Sequence, residues 1–141
     1  MIRIISAISI IVLLVFFMKN SYAKISLEDE LNSFAWEKRI LLLIADKKNI
    51  NLINQVNDFF KNNTCQNNLR NLELYKIIGV EIKNYKLPKM YDSQTGIWLI
   101  GYDGEIKLFS KNSSMLKKLY IVIDSMAIRK EEKLNQNYNC K

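Results

Sequence analysis

Two cysteines, Cys65 and Cys140, are the only thiols in this 141-residue sequence, and it contains no histidine to activate them. A thiolate attacks disulfides and peroxides when a helix N-terminus or a nearby cation lowers its pKa. Cys65 instead lies in the polar run Lys61 to Asn68, and Cys140 lies in the polar tail Asn135 to Lys141. Without imidazole, a Ser-His-Asp triad, a Cys-His dyad and the usual zinc and copper sites are excluded. Two thiols are too few for a thiolate zinc site. The four glycines, Gly79, Gly96, Gly101 and Gly104, lack the spacing of a phosphate-binding loop. The composition therefore calls for no metal and no cofactor.

A second group of residues carries charge rather than nucleophilicity: Asp103, Lys107, Asp124, Arg129 and Glu132, which Trp36 and Arg39 could join. They have two readings. One is a binding patch for a protein or a small molecule. The other is a turn at Asp103-Gly104, a solvated helix face from Asp124 to Glu132, and a core plug at Trp36.

The N-terminal residues set the compartment. Met1 to Arg3 give a basic start, Ile4 to Met18 an apolar run, and Ser21 with Ala23 fit a signal-peptidase site. Residues 1–23 are expected to be a signal peptide. A helix over the apolar run would span about 22 Å against a hydrocarbon core of roughly 30 Å, so a retained anchor is the weaker reading. The expected mature chain, from Lys24, is periplasmic or secreted, has no stable membrane insertion, and is the size of one domain. Cleavage removes Arg3 and Lys19, and the net charge falls from +7 to about +5, spread along the chain. Nucleic-acid binding calls for clustered basic and aromatic residues and is not expected. In an exported protein, a structural bridge between Cys65 and Cys140 is favoured over a reactive pair, and closing so long a loop stabilises by up to about 4.5 kcal/mol.

The elements that must position these residues follow from periodicity. Ile25 to Trp36 suits a short helix, and Ile40 to Ala45 is a fully buried strand. Leu52, Ile53, Val56, Phe59 and Phe60 recur at helical spacing. Lys61 to Asn68 reads as a loop, Leu72 to Ile82 as a strand, and Lys83 to Gly96 as a polar connection. Ile97 to Gly101 and Glu105 to Phe109 form a hairpin through Asp103-Gly104. A final helix, capped at Ser113 or Ser114, runs to Leu134.

Strand, helix, strand, connection, hairpin, helix is the order of a thioredoxin-like α/β domain, a central mixed four-stranded sheet flanked by helices over residues 24–134, with residues 135–141 as a tail. Trp36-Glu37-Lys38-Arg39, Leu99-Ile100-Gly101-Tyr102-Asp103-Gly104-Glu105-Ile106-Lys107 and Ile123 to Glu132 resemble the family catalogued as domain of unknown function 4174. That resemblance implies an exported bacterial protein with a thioredoxin-like, peroxiredoxin-related fold and no established activity. Three departures stand out. Ala127 follows Met126 where the family commonly has proline, Phe109 stands where an arginine is common after the hairpin lysine, and Arg70-Asn71 replaces an Arg-Asp pair.

In thioredoxin-like enzymes the reactive cysteine sits where the first strand enters the first helix. Asp46-Lys47-Lys48-Asn49-Ile50 occupies that place here and holds neither sulfur nor hydroxyl. The cis-proline position corresponds to Gly96. The expectation is a non-catalytic binding or interaction module with an unknown protein or small-molecule partner. The alternative is an atypical thiol oxidoreductase or peroxiredoxin-like enzyme working through Cys65, Cys140 or a thiol supplied by a partner.

Overall fold

A computed structural model describes residues 23–91, 95–136 and 140, and the expected signal segment 1–22 lies outside them. The chain forms β1 (Ile25–Ser26), α1 (Leu27–Asn32), β2 (Arg39–Ala45), α2 (Ile50–Asn62), α3 (Thr64–Leu69) and β3 (Leu72–Ile78). A 3-10 turn (Gly79–Asn84) leads to β4 (Tyr85–Lys86), then β5 (Gly96–Ile100) and β6 (Ile106–Ser110). A second 3-10 turn (Ser113–Met115) enters α4 (Leu116–Ser125), followed by α5 (Ala127–Asn135).

The main sheet has the order β3-β2-β5-β6. β2 runs parallel to β3, with Arg39 opposite Leu72, and antiparallel to β5, with Leu42 opposite Trp98. β5 and β6 are antiparallel. A parallel pair requires a crossover, which α2 and α3 supply, whereas the antiparallel pair closes through a short turn. All seven residues of β2 are buried because both faces of the sheet are covered. Leu41, Leu43 and Ala45 pack with Leu52, Val56, Leu119 and Ile123 of α2 and α4. Ile40, Leu42 and Ile44 pack on the other face with Leu27 and Leu31 of α1 and with Tyr91 and Trp98. Truncating Leu42 to alanine would therefore remove about 2–5 kcal/mol. The mixed four-stranded sheet flanked by helices matches the expected α/β architecture.

Three expectations from sequence are corrected. The asparagine-rich run is helical from Thr64, because its polar groups find partners. Asn67 is buried, donates to the Phe60 carbonyl at 3.3 Å and accepts from the Tyr120 hydroxyl at 2.6 Å. The final helix is two helices. Met126 is extended (φ −67°, ψ 140°), so the chain changes direction between α4 and α5, although the apolar spacing continues through the break. The cap before this segment is Asn112, whose side chain accepts from the Ser114 amide at 2.9 Å, rather than Ser113 or Ser114. Among the described residues no helix is long and apolar enough to cross a membrane.

Candidate functional site

The N-terminal end of β2 carries most of the buried charge. Arg39 opens the strand with a side chain at 0% exposure, and its amide donates to the Asn71 carbonyl at 2.8 Å. Its Nη1 donates to the Arg70 carbonyl at 2.7 Å and to both carboxylate oxygens of Glu132 at 3.1 and 3.2 Å. The guanidinium lies over the Tyr102 ring, 4.1 Å from its centroid, a favourable cation–π placement. Tyr102 in turn donates its hydroxyl to Glu132 at 2.7 Å and accepts from the Asn71 amide at 2.8 Å. Burial raises the Tyr102 pKa, and its hydrogen bond to Glu132 adds to that, against opposing effects of Asn71 and Arg39.

Two residues here leave the backbone's ordinary regions. Trp36 (φ 65°) and Asn71 (φ 46°) are left-handed without being glycine. Asparagine tolerates this conformation, whereas for tryptophan it costs about 1–2 kcal/mol. Both are held through Tyr102: the Trp36 amide donates to the Tyr102 carbonyl at 2.7 Å, and Asn71 reaches its hydroxyl. Trp36 is 71% exposed, so it is not the core plug of the alternative reading.

Glu132 and Asp124 join this end to α4 and α5. Arg129, only 2% exposed, donates to Asp124 and to Glu132, each at 3.3 Å, and to Gln136 at 3.1 Å. Arg70 grips Asp124 with two nitrogens at 3.0 and 2.8 Å, stacks 4.3 Å from the centroid of Tyr120, and Lys133 adds a third cation to Asp124 at 3.2 Å. Burial pushes the Asp124 carboxyl up, but bonds from Arg70, Lys133 and Arg129 outweigh it and hold the pKa below its ordinary value. Burial drives the Tyr120 phenol up to about 12 despite Arg70. Asp124, Arg129 and Glu132 are thus the clasp of a buried ion network, while Ser125, Ala127, Lys130 and Glu131 between them face solvent. Replacing a whole network of this kind with apolar side chains can be neutral, whereas removing one member strands a buried charge at a cost of about 3–5 kcal/mol.

In front of Arg39 lies a cavity of about 340 Å³ whose wall includes Trp36, Tyr102, Met126 and Ile128, with Asp103 and Lys107 at its edge. Asp103 and Lys107 are ion-paired across the hairpin. Burial acts to raise the Asp103 pKa, and the bond from Lys107 reverses this to a net lowering. Gly101 permits the pair: a Cβ there would come within 2.7 Å of Lys107 and 2.8 Å of Asp103. A larger cavity of about 500 Å³ lies along β3, lined by Lys38, Asn68, Glu73 and Leu74. Its charges, Lys38 and Glu73, are exposed and paired with each other, and nothing buried there lacks a partner.

Of the residues singled out from sequence, Trp36, Arg39, Asp103 and Lys107 share one cavity, and Asp124, Arg129 and Glu132 form the network behind it. Arg70, Asn71, Tyr102 and Gln136 complete that network without having been singled out, although Tyr102 lay inside a motif that carried the resemblance and Arg70-Asn71 stood out as a departure from it. Cys65 and Cys140 are joined in a disulfide across 75 residues, with both half-cystines at this same end of the sheet. Among the described residues no group of acidic, cysteine and histidine side chains could hold a metal ion.

The opposite end of β2 is plain. Asp46 accepts from the Lys48 amide at 3.0 Å, and Asn49 precedes α2 without capping it, its side chain accepting instead from Thr95 at 3.2 Å. No curated protein and no solved structure shows a significant match to the chain. The family described as Domain of unknown function (DUF4174) matches residues 30–92, a span that takes in Trp36, Arg39, Arg70 and Asn71.

Proposed function

We propose, starting from the DUF4174 match, that this chain is an exported, non-catalytic binding module of thioredoxin-like architecture whose working surface is the Arg39 end of the sheet. The element order and the sheet order β3-β2-β5-β6, with α2 and α4 on one face, support that architecture. One observation carries the choice of surface. An exposed tryptophan is held in a strained left-handed conformation at the rim of a cavity, and a buried ion network fixes what lies behind it. Strain of this kind persists where the surrounding structure imposes it, and such places are enriched in ligand sites.

The reading as an oxidoreductase works through Cys65 and Cys140, which are joined to each other and are the sequence's two cysteines, or through a thiol supplied by a partner. Insulin-reduction and peroxide-consumption assays on the mature protein, with Cys65→Ser and Cys140→Ser, decide between the readings. The binding module shows no cysteine-dependent turnover, and a partner captured by the wild type is released by Trp36→Ala. Turnover abolished by either serine variant would overturn it.

A further inference from the structure

The Arg39 guanidinium is only half used. Nη1 has three acceptor contacts, and the Tyr102 ring covers one face, yet Nε and Nη2 are buried and have no hydrogen-bond partner among the described residues. Those two nitrogens share one edge of the planar group and present parallel N–H donors, the fork that a carboxylate accepts with both oxygens. Arg39 also lines the cavity bounded by Trp36, Met126 and Ile128. The remaining charges on that wall, Asp103 and Lys107, already satisfy each other. The free edge of Arg39 is thus the unmet polar demand among the described side chains that line the cavity.

We infer, resting on the binding reading above, that this cavity takes a monocarboxylate borne on an apolar group. Its two oxygens engage Nε and Nη2 of Arg39, and its apolar body lies along Met126 and Ile128 toward Trp36. Charge favours an anion: Arg39, Arg70, Arg129 and Lys133 share only the carboxylates of Asp124 and Glu132 in the network behind the cavity. The same carboxylates disfavour a dianion such as phosphate, for which the described residues of the cavity offer one fork and no second unpaired cation. A volume of about 340 Å³ suits a small aryl or alkyl acid or the last residue of a peptide. Because Arg39 itself is shut off from solvent, entry displaces wall side chains, and the unbranched Met126, which no ion pair holds, is the one that yields.

Fluorescence of the mature protein tests this, since Trp36 is exposed at the rim while Trp98, the other tryptophan, is buried. The probes are 4-phenylbutanoate and its amide, a peptide ending in phenylalanine as free acid and as amide, and inorganic phosphate. Saturable quenching by a free acid is expected, with the matching amide and Arg39→Lys each weaker by about tenfold or more. Ile128→Glu, which sets a charge at the lip without touching the network, should abolish acid binding and leave the unfolding midpoint nearly unchanged. Binding of the acid-ended peptide alone, or of phenylbutanoate as well, supports the inference and separates a chain terminus from a free acid as its source. Equal binding of acids and amides, equal competition by phosphate, or no response to any probe overturns it. The binding-module reading survives those results if Trp36→Ala still releases a captured partner.

Discussion

The two ends of β2 are built on different principles although one buried strand joins them. At its C-terminal end, Ala45 passes into Asp46-Lys47-Lys48-Asn49, exposed or half-exposed residues beside a cavity of about 250 Å³. At its N-terminal end, Arg39 and Arg129 are fully buried, two non-glycine residues are left-handed, and a disulfide lies close by. On the thioredoxin-like reading proposed above, the first end is where a reactive cysteine would stand. Here the costly features, buried charge and backbone strain, are gathered at the second. Buried ion pairs are a poor route to stability alone, so their concentration points to positioning.

The sharpest break in that comparison is Glu132→Ala. It leaves the buried Arg39 and Arg129 short of an acceptor, and urea denaturation should show a loss of about 3–5 kcal/mol. The equivalent change at the other end, Asp46→Ala, should stay within about 0.5 kcal/mol, as for an ordinary surface site. Equal losses at both ends would remove the distinction.

Next in size is the bridge. Replacing Cys65 and Cys140 together with serine should lower stability by about 2–4 kcal/mol, read from the same unfolding curves. Intact mass of the protein purified without reductant should show no free thiol, and two free thiols would contradict the bridge.

Acid offers a milder break. Asp124 has its native pKa lowered, so its contribution is fully present above the ordinary carboxylate value of 3.8 and is lost as pH falls from there through the native value. Asp124→Asn should flatten the pH dependence of stability in that window. A profile unchanged by the substitution would show that the Arg70, Arg129 and Lys133 contacts contribute nothing.

The smallest effect sharpens the comparison instead of breaking it. Ala127 is the first residue of α5, where an amide has no helical acceptor, and Met126 before it is already extended, as a residue preceding proline prefers. Ala127→Pro should therefore be neutral or stabilise by about 0.4–1 kcal/mol, which accounts physically for the proline common at this place in the resembling family.

Much of this was legible in the residue pattern. The ILLLIA run could only be a strand covered on both sides, and the order of elements put Trp36, Arg39, the Tyr102-Asp103-Gly104 turn and the last helix at one end. Charge misled where it was buried: Arg129 and Glu132 have helix-face spacing, and nothing local distinguishes a solvated pair from one enclosed by Arg39 and Gln136. Trp36 misled in the other direction, because its exposure depends on a left-handed backbone imposed by Tyr102, a partner 66 positions away. The asparagine-rich run concealed α3 because asparagine forms poor helices unless, like Asn67, it finds buried partners.

The most direct test places a photo-crosslinking side chain at Trp36 in one protein and at Lys47 in another, and activates both in the native compartment. A partner adduct forming at position 36 and absent at position 47 is the predicted result. An adduct confined to position 47 would contradict the account by returning function to the end where a redox site would stand.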